Sequence, residues 1–347
     1  MDAILDIFVR VNSAGTILSK SDLLFSTIVA HWEKGREAIE NFLERINKKG
    51  SGFGFDNDFM MRACLVLAEC PVRLRVGSFK AGNVKLIVKN WKSITPAIDK
   101  TVDLLVEWGF ERDTLPSANS VIPIAYAIKQ GCALSTSKTN LRFLLIKSLL
   151  TGIYGSQGDQ VLASMRKALQ ATVQVNKPFQ LAQFEQTVRL PGTKSLQIDQ
   201  EIFEDLLVAS KGPRTFALLS LLTPHLKFSQ THFHQDHIHP YAGFGTAALR
   251  KLGLDGDTIR EWQVKRDALP NLHLLEGKEN QSKQASAFKD WLKREMPRSS
   301  ATRAFLQAHH IPENVPLDLR DFDKFFDHRK EILKSKLAAL LNTKSAA

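Results

Sequence analysis

Along most of the chain the apolar positions recur at helical spacing. In SITPAIDKTVDLLVEWGF, Ile98, Val102 and Leu105 fall on one stripe, Thr95 is placed to cap, Pro96 suits a first helical position and Gly109 a C-terminal stop. Stripes of the same kind run through SKSDLLFSTIVAHW, FDNDFMMRACLVLAE, NLRFLLIKSLLTGIYG, DQVLASMRKALQ and DQEIFEDLLVAS, while β-branched alternation is scarce. Residues 20–222 are therefore expected to form an all-helical, bundle-like domain. Near residue 223 the pattern changes. TPHLKFSQTHFHQDHIHP alternates polar and apolar residues and predicts a short strand entering a turn at Pro240. NLHLLEG predicts a second strand, KLGLDGDTIREWQVKRDALP a loop-rich connection between the two, and ENQSKQASAFKDWLKREM a helix. DFDKFFDHRKEILKSKLAALL is amphipathic through Phe322, Phe325, Phe326, Ile332, Leu337 and Leu341 and predicts a packing helix. The expected fold class is mainly α, a helical domain followed by a small α+β domain over 223–347 with C-terminal helices.

Composition narrows the setting. Apolar residues make up 44% and charged residues 24% of the 347, the balance of a soluble globular protein. The most apolar stretch, LRFLLIKSLLTGIYG, is interrupted by Lys147 well short of the roughly 18 residues a spanning helix needs, so no membrane partner is expected. The start MDAILDIFVRVNS lacks a basic n-region and does not read as a signal peptide. Cys64, Cys70 and Cys132 form no Cys-x-x-Cys pair, which excludes a cysteine zinc ribbon and fits a reducing, cytoplasmic compartment. Forty-seven Lys and Arg against 36 Asp and Glu leave a net charge of +11, which favours polyanionic partners, nucleic acid first among them.

The candidate chemistry lies in THFHQDHIHPYAGFG, where His232, His234, His237 and His239 surround Asp236. Asn271 follows 34 positions after His237, at the start of the second predicted strand, and Asn280 nine further on, in the predicted helix. Aspartate and histidine on one strand, asparagine at the next and asparagine on the following helix is the spacing of the HNH, or His-Me finger, nucleases. The residue types suit phosphodiester hydrolysis. A neutral imidazole can take a proton from water, and carboxylate and amide oxygens suit one Mg²⁺ or Mn²⁺ ion. On this reading His237 is the general base, Asp236 and Asn280 ligate the metal, and Asn271 orients the imidazole or its strand. Lys283, one turn after Asn280, either faces a DNA phosphate or is a solvated helix lysine. Two other readings stand beside this one. The four histidines form a structural zinc site, although strand alternation sends 232 and 234 one way and 237 and 239 the other, or the stretch is a polar loop without chemistry.

DHIHP followed by NLHLLEGKENQSK resembles the C-terminal HNH domain of GmrSD-type, modification-dependent restriction endonucleases. DIFVRVNSAGTILSKSDLL, through Phe8, Arg10, Asn12, Gly15 and Leu18, resembles the closing part of that family's ParB-like N-terminal domain, and SVIPIAYAI at 120–128 resembles its helical middle. The resemblance implies a metal-dependent DNA endonuclease acting in anti-phage restriction of modified DNA. The family's Asp-Gly-Gln-Gln-Arg motif for nucleotide hydrolysis is absent, so residues 1–19 are expected to be a remnant of that domain and a separately encoded nucleotide-hydrolysing sensor to be a partner. A non-catalytic remnant that binds DNA or a partner is the alternative, and RNA remains open as substrate.

Overall fold

The structure, a computed structural model, describes residues 20–341, so the ParB-like remnant expected over 1–19 lies outside the described residues. The chain divides into two compact units, one reaching Val106 and resuming over Phe110–Leu196, the other made of Glu107–Gly109 and the chain from Gln197 on. The architecture is mainly helical, and the only sheet among the described residues has two strands.

The first unit is built from α1 (Lys20–Val29), α2 (Gly35–Asn47), α3 (Asn57–Leu67), α4 (Ala81–Glu107, whose last residue belongs to the second unit), α5 (Val121–Lys129), α6 (Leu134–Leu150), α7 (Gly158–Thr172) and α8 (Leu181–Thr187). Its centre is α5, packed against α3 and α7. Val121, Ile122, Ile124, Ala125, Tyr126 and Ala127 are all fully buried, the pattern of a helix that is apolar all round rather than on one stripe. Asp56 starts α3 by accepting from the Phe59 N–H at 2.8 Å. Helix α4 departs from the expectation of a start at Thr95. It runs unbroken through Pro96, and the Thr95 hydroxyl donates to the Trp91 carbonyl at 3.0 Å instead of capping. Its stop is as expected, with Gly109 at φ +82° and the Phe110 N–H donating back to the Leu105 carbonyl at 2.9 Å. Lys147 is buried and paired with Glu185 at 2.6 Å. No helix among the described residues is long and apolar enough to cross a membrane.

The second unit opens with α9 (Gln200–Leu207) and α10 (Pro213–Leu222), ahead of the compositional change near 223, because both helices pack on the C-terminal helix. Then come β1 (Phe233–His237), α11 (Thr246–Lys251), α12 (Gly256–Arg266), β2 (Leu272–Glu276), α13 (Gly277–Lys283), α14 (Phe288–Glu295), α15 (Ser299–Ala308) and α16 (Phe322–Leu341). The strands pair antiparallel, Asp236 opposite His273 and His237 opposite Leu272, and α13 leaves β2 directly through a capping box of Glu276 and Glu279. The connection between the strands is more helical than expected. Asp255 accepts from the N–H groups of Asp257 and Thr258, each at 2.9 Å, and starts α12, whose Ile259 and Trp262 are buried. The single helix expected over 279–296 is two, broken where Gln284 takes φ +44°. Phe244, Trp262, Phe288, Trp291, Phe305, Phe322 and Phe325 join Ile238 in one core around the hairpin.

Candidate active site

Two groups of side chains meet at the end of β1. On one side the Asp236 carboxylate accepts from the Lys283 ammonium at 2.7 Å and lies 3.2 Å from Nε2 of His273. Burial alone would raise the Asp236 pKa, but His273 and Lys283 override it and hold the carboxyl at about 2. Burial pushes His273 down to about 4 and lowers Lys283 against the pull of Asp236. Lys283 is fully buried, and its Nζ also donates to the His237 carbonyl at 2.5 Å. This corrects both sequence readings of Lys283. The lysine neither faces a phosphate nor is solvated, because α13 turns it inward onto the hairpin.

On the other side Nε2 of His237 lies 2.7 Å from Oδ1 of Asp267. A carboxylate only accepts, so the neutral ring carries its proton on Nε2 and its lone pair on Nδ1. Burial lowers the His237 pKa, Asp267 works against that, and the Lys211 charge adds to the lowering. Arg266 grips the second Asp267 oxygen at 2.6 Å, and its guanidinium lies 3.7 Å from the centroid of the Tyr241 ring. Neither Asp267 nor His273 stood out in the sequence. Asp267 precedes Asn271 by four residues, but no periodicity marks it as the partner of a histidine 30 residues earlier.

Asn271 is fully buried and binds backbone only. Its Oδ1 accepts from the His239 N–H at 2.9 Å, and its amide donates to the carbonyls of His239 at 3.1 Å and Arg266 at 2.8 Å. Of its two expected roles it fills the second, fixing the chain where β1 ends. Beneath it the buried Arg329 of α16 donates to the carbonyls of Pro270 at 2.7 Å and Leu272 at 2.8 Å. Asn280 sits half-buried on α13, three residues before Lys283, and its side-chain amide makes no hydrogen bond among the described residues.

The four histidines of the opening motif do not converge. His232 and His234 lie exposed with ring centroids 4.4 Å apart, His237 is held by Asp267, and His239 is buried against Phe325 at 4.6 Å and Phe322 at 5.5 Å. Among the described residues no group of three or more His, Cys, Asp or Glu is arranged to hold a metal, so no zinc site is built here. For a hard cation the donor chemistry is different. The carboxylate and amide oxygens of Asp236 and Asn280 are of the type that suits an ion held mainly by water and substrate phosphate, as Mg²⁺ is.

Comparison with protein-family models and with curated proteins finds no match to this chain.

Proposed function

We propose that the second unit is a ββα-metal, HNH-type endonuclease that hydrolyses DNA phosphodiester bonds. The observation that carries this reading is the end of β1, where a half-buried carboxylate and a histidine with a free lone pair occupy successive positions and a helix bearing Asn280 follows β2. In the mechanism His237, oriented through Nε2 by Asp267, takes a proton from water at Nδ1. Asn271 and Arg329 keep the strand ends in place while it does so. Asp236 and Asn280 would hold the divalent ion, which when bound stabilises negative charge on the phosphate and leaving oxygen. The GmrSD resemblance adds a cytoplasmic role in anti-phage restriction of modified DNA and a nucleotide-hydrolysing sensor as partner.

One observation favours the rival reading, a non-catalytic remnant that binds DNA or a partner. The Lys283 ammonium already compensates Asp236, which leaves less negative charge for a second cation. A plasmid-nicking assay with Mg²⁺, Mn²⁺ or EDTA separates the two. The nuclease reading expects metal-dependent nicking, a loss of about 100- to 10,000-fold in His237→Ala, and partial recovery of Asp236→Ala and Asn280→Ala, but not of His237→Ala, at high Mn²⁺. Wild-type rates in His237→Ala, or no nicking by the native chain, would sink it.

A further inference from the structure

Six large apolar side chains are exposed among the described residues, and Tyr241 is the only aromatic one. It is 58% exposed and stands immediately after the turn that leaves β1, with its ring edge-on to His237 at 5.9 Å between centroids. Arg266 covers one face at 3.7 Å and is itself gripped by Asp267 at 2.6 Å, so the ring is held rather than free to swing. Lys211 is exposed and tied to the same corner, its N–H donating to the Asp267 carbonyl at 2.7 Å. A held aromatic face with a guanidinium over one side and an exposed lysine tied by its backbone to the same corner, beside the histidine that would do the chemistry, is what a nucleotide with an uncovered base requires. The base stacks on the ring, and the cations attract the adjoining phosphates. Inside a duplex both faces of each base are covered by its neighbours, so the ring can serve only a base that has left the stack.

We propose that Tyr241 is a stacking platform for an unpaired nucleobase next to the scissile phosphate, so that this site takes DNA that is single-stranded or locally opened. The inference rests on the nuclease reading for the word scissile, but stacking can be measured without cleavage. Because the ring is already fixed by Arg266, stacking costs little side-chain entropy, and the gain falls on binding rather than on the chemical step.

The test uses the full chain carrying His237→Ala and an oligonucleotide with a fluorescent adenine analogue, placed either in a short bubble or in the same sequence fully paired. Quenching and tight binding of the bubble are expected. Adding Tyr241→Ala should abolish the quenching and weaken bubble binding on the order of tenfold, whereas Tyr241→Phe and Tyr241→Trp should retain both. With His237 intact, Tyr241→Ala should raise KM for the bubble by a similar factor and raise it less for the duplex, with kcat the smaller change on both. Equal losses on bubble and duplex, no loss on either, or quenching that survives Tyr241→Ala would overturn the platform while leaving the nuclease reading standing. A native chain that cuts no DNA yet quenches the bubble through Tyr241 would overturn the nuclease reading and leave the platform.

Discussion

The two units differ in how much charge they bury. In the first, the buried hydroxyls of Thr101, Ser137, Ser148 and Thr172 each return their proton to a carbonyl three or four residues earlier, at 2.7–2.9 Å. Such bonds are local, although the Ser137 oxygen also accepts from the Phe179 N–H at 2.9 Å. The second unit has such hydroxyls too, on Thr215, Ser220 and Thr223, but its buried polar set also holds Asn271, His239, His273, His309, Lys283 and Arg329, which are an amide, rings and charges. Lys283 reaches Asp236 across 47 residues, and Arg329 reaches Leu272 across 57. Nine of the ten histidines belong to the second unit. Among the described residues the first unit buries one charged side chain, Lys147, paired with Glu185 at 2.6 Å, and otherwise has the interior of a scaffold. The second keeps its charge inside, which costs stability and is retained where ionisable groups must be held in one geometry.

The sharpest way to break that contrast is to remove one buried polar group from each interior. Lys283→Met leaves the Asp236 carboxylate without its cation and should cost the second unit about 3–5 kcal/mol in denaturant unfolding. The double variant Lys283→Met with Asp236→Asn should regain most of it, because a neutral pair removes the uncompensated charge. In the first unit Thr101→Val should cost less than about 1.5 kcal/mol, since the Ala97 carbonyl keeps its helical backbone bond. A Lys283→Met chain of unchanged stability but weakened DNA binding would restore the phosphate-facing lysine and overturn the ion pair.

Acid should divide the units next. Burial holds His239 and His273 at about 4 and His309 at about 2, against 6.5 for an ordinary histidine. Each folded pKa lies below the unfolded one, so between pH 6.5 and 4 the unfolded chain binds more protons and stability falls as pH falls. The first unit's one histidine, His31, is exposed. Hydrogen exchange at pH 7 and pH 5, corrected for its intrinsic pH dependence, should show protection lost across 197–341 before 25–196. Equal loosening of both stretches would mean that the buried rings do not govern the second unit's stability.

This division also explains what was legible in the sequence. Helices α1, α3, α6, α7 and α9 and both strands follow from local spacing, since burial of one face imprints a period on the chain. The α4 start was misread because Thr95 and Pro96 make a capping signature whose hydroxyl turns back to Trp91 instead. Helix α12 hid behind Gly253 and Gly256, which look like loop, although Asp255 caps it. The break at Gln284 leaves no trace, because glutamine carries no local preference for φ +44°. For the proposed site, type and spacing single out Asp236, His237, Asn271 and Asn280. They do not single out Asp267, His273 or the inward turn of Lys283, since each is defined by a partner on another element, and residue spacing along one element carries no information about what covers it.

The smallest effect concerns the one pair that links the second unit's charge to the proposed chemistry. Asp267 raises the proton affinity of His237 against burial and Lys211, which together leave the ring below its ordinary value. Asp267→Asn keeps an oxygen acceptor for Nε2 but removes the negative charge. The His237 pKa should therefore fall further, and the rising limb of rate against pH, which follows loss of the imidazole proton, should move to lower pH. The plateau should drop on the order of tenfold, less than for removal of the ring, because a less basic imidazole is a poorer acceptor but stays in place. Asp267→Ala, which also removes the acceptor, should lower the plateau further while shifting the limb in the same direction. An unmoved limb in Asp267→Asn, or one displaced to higher pH, would show that the carboxylate does not act on His237 and that the pair is only a contact between neighbours.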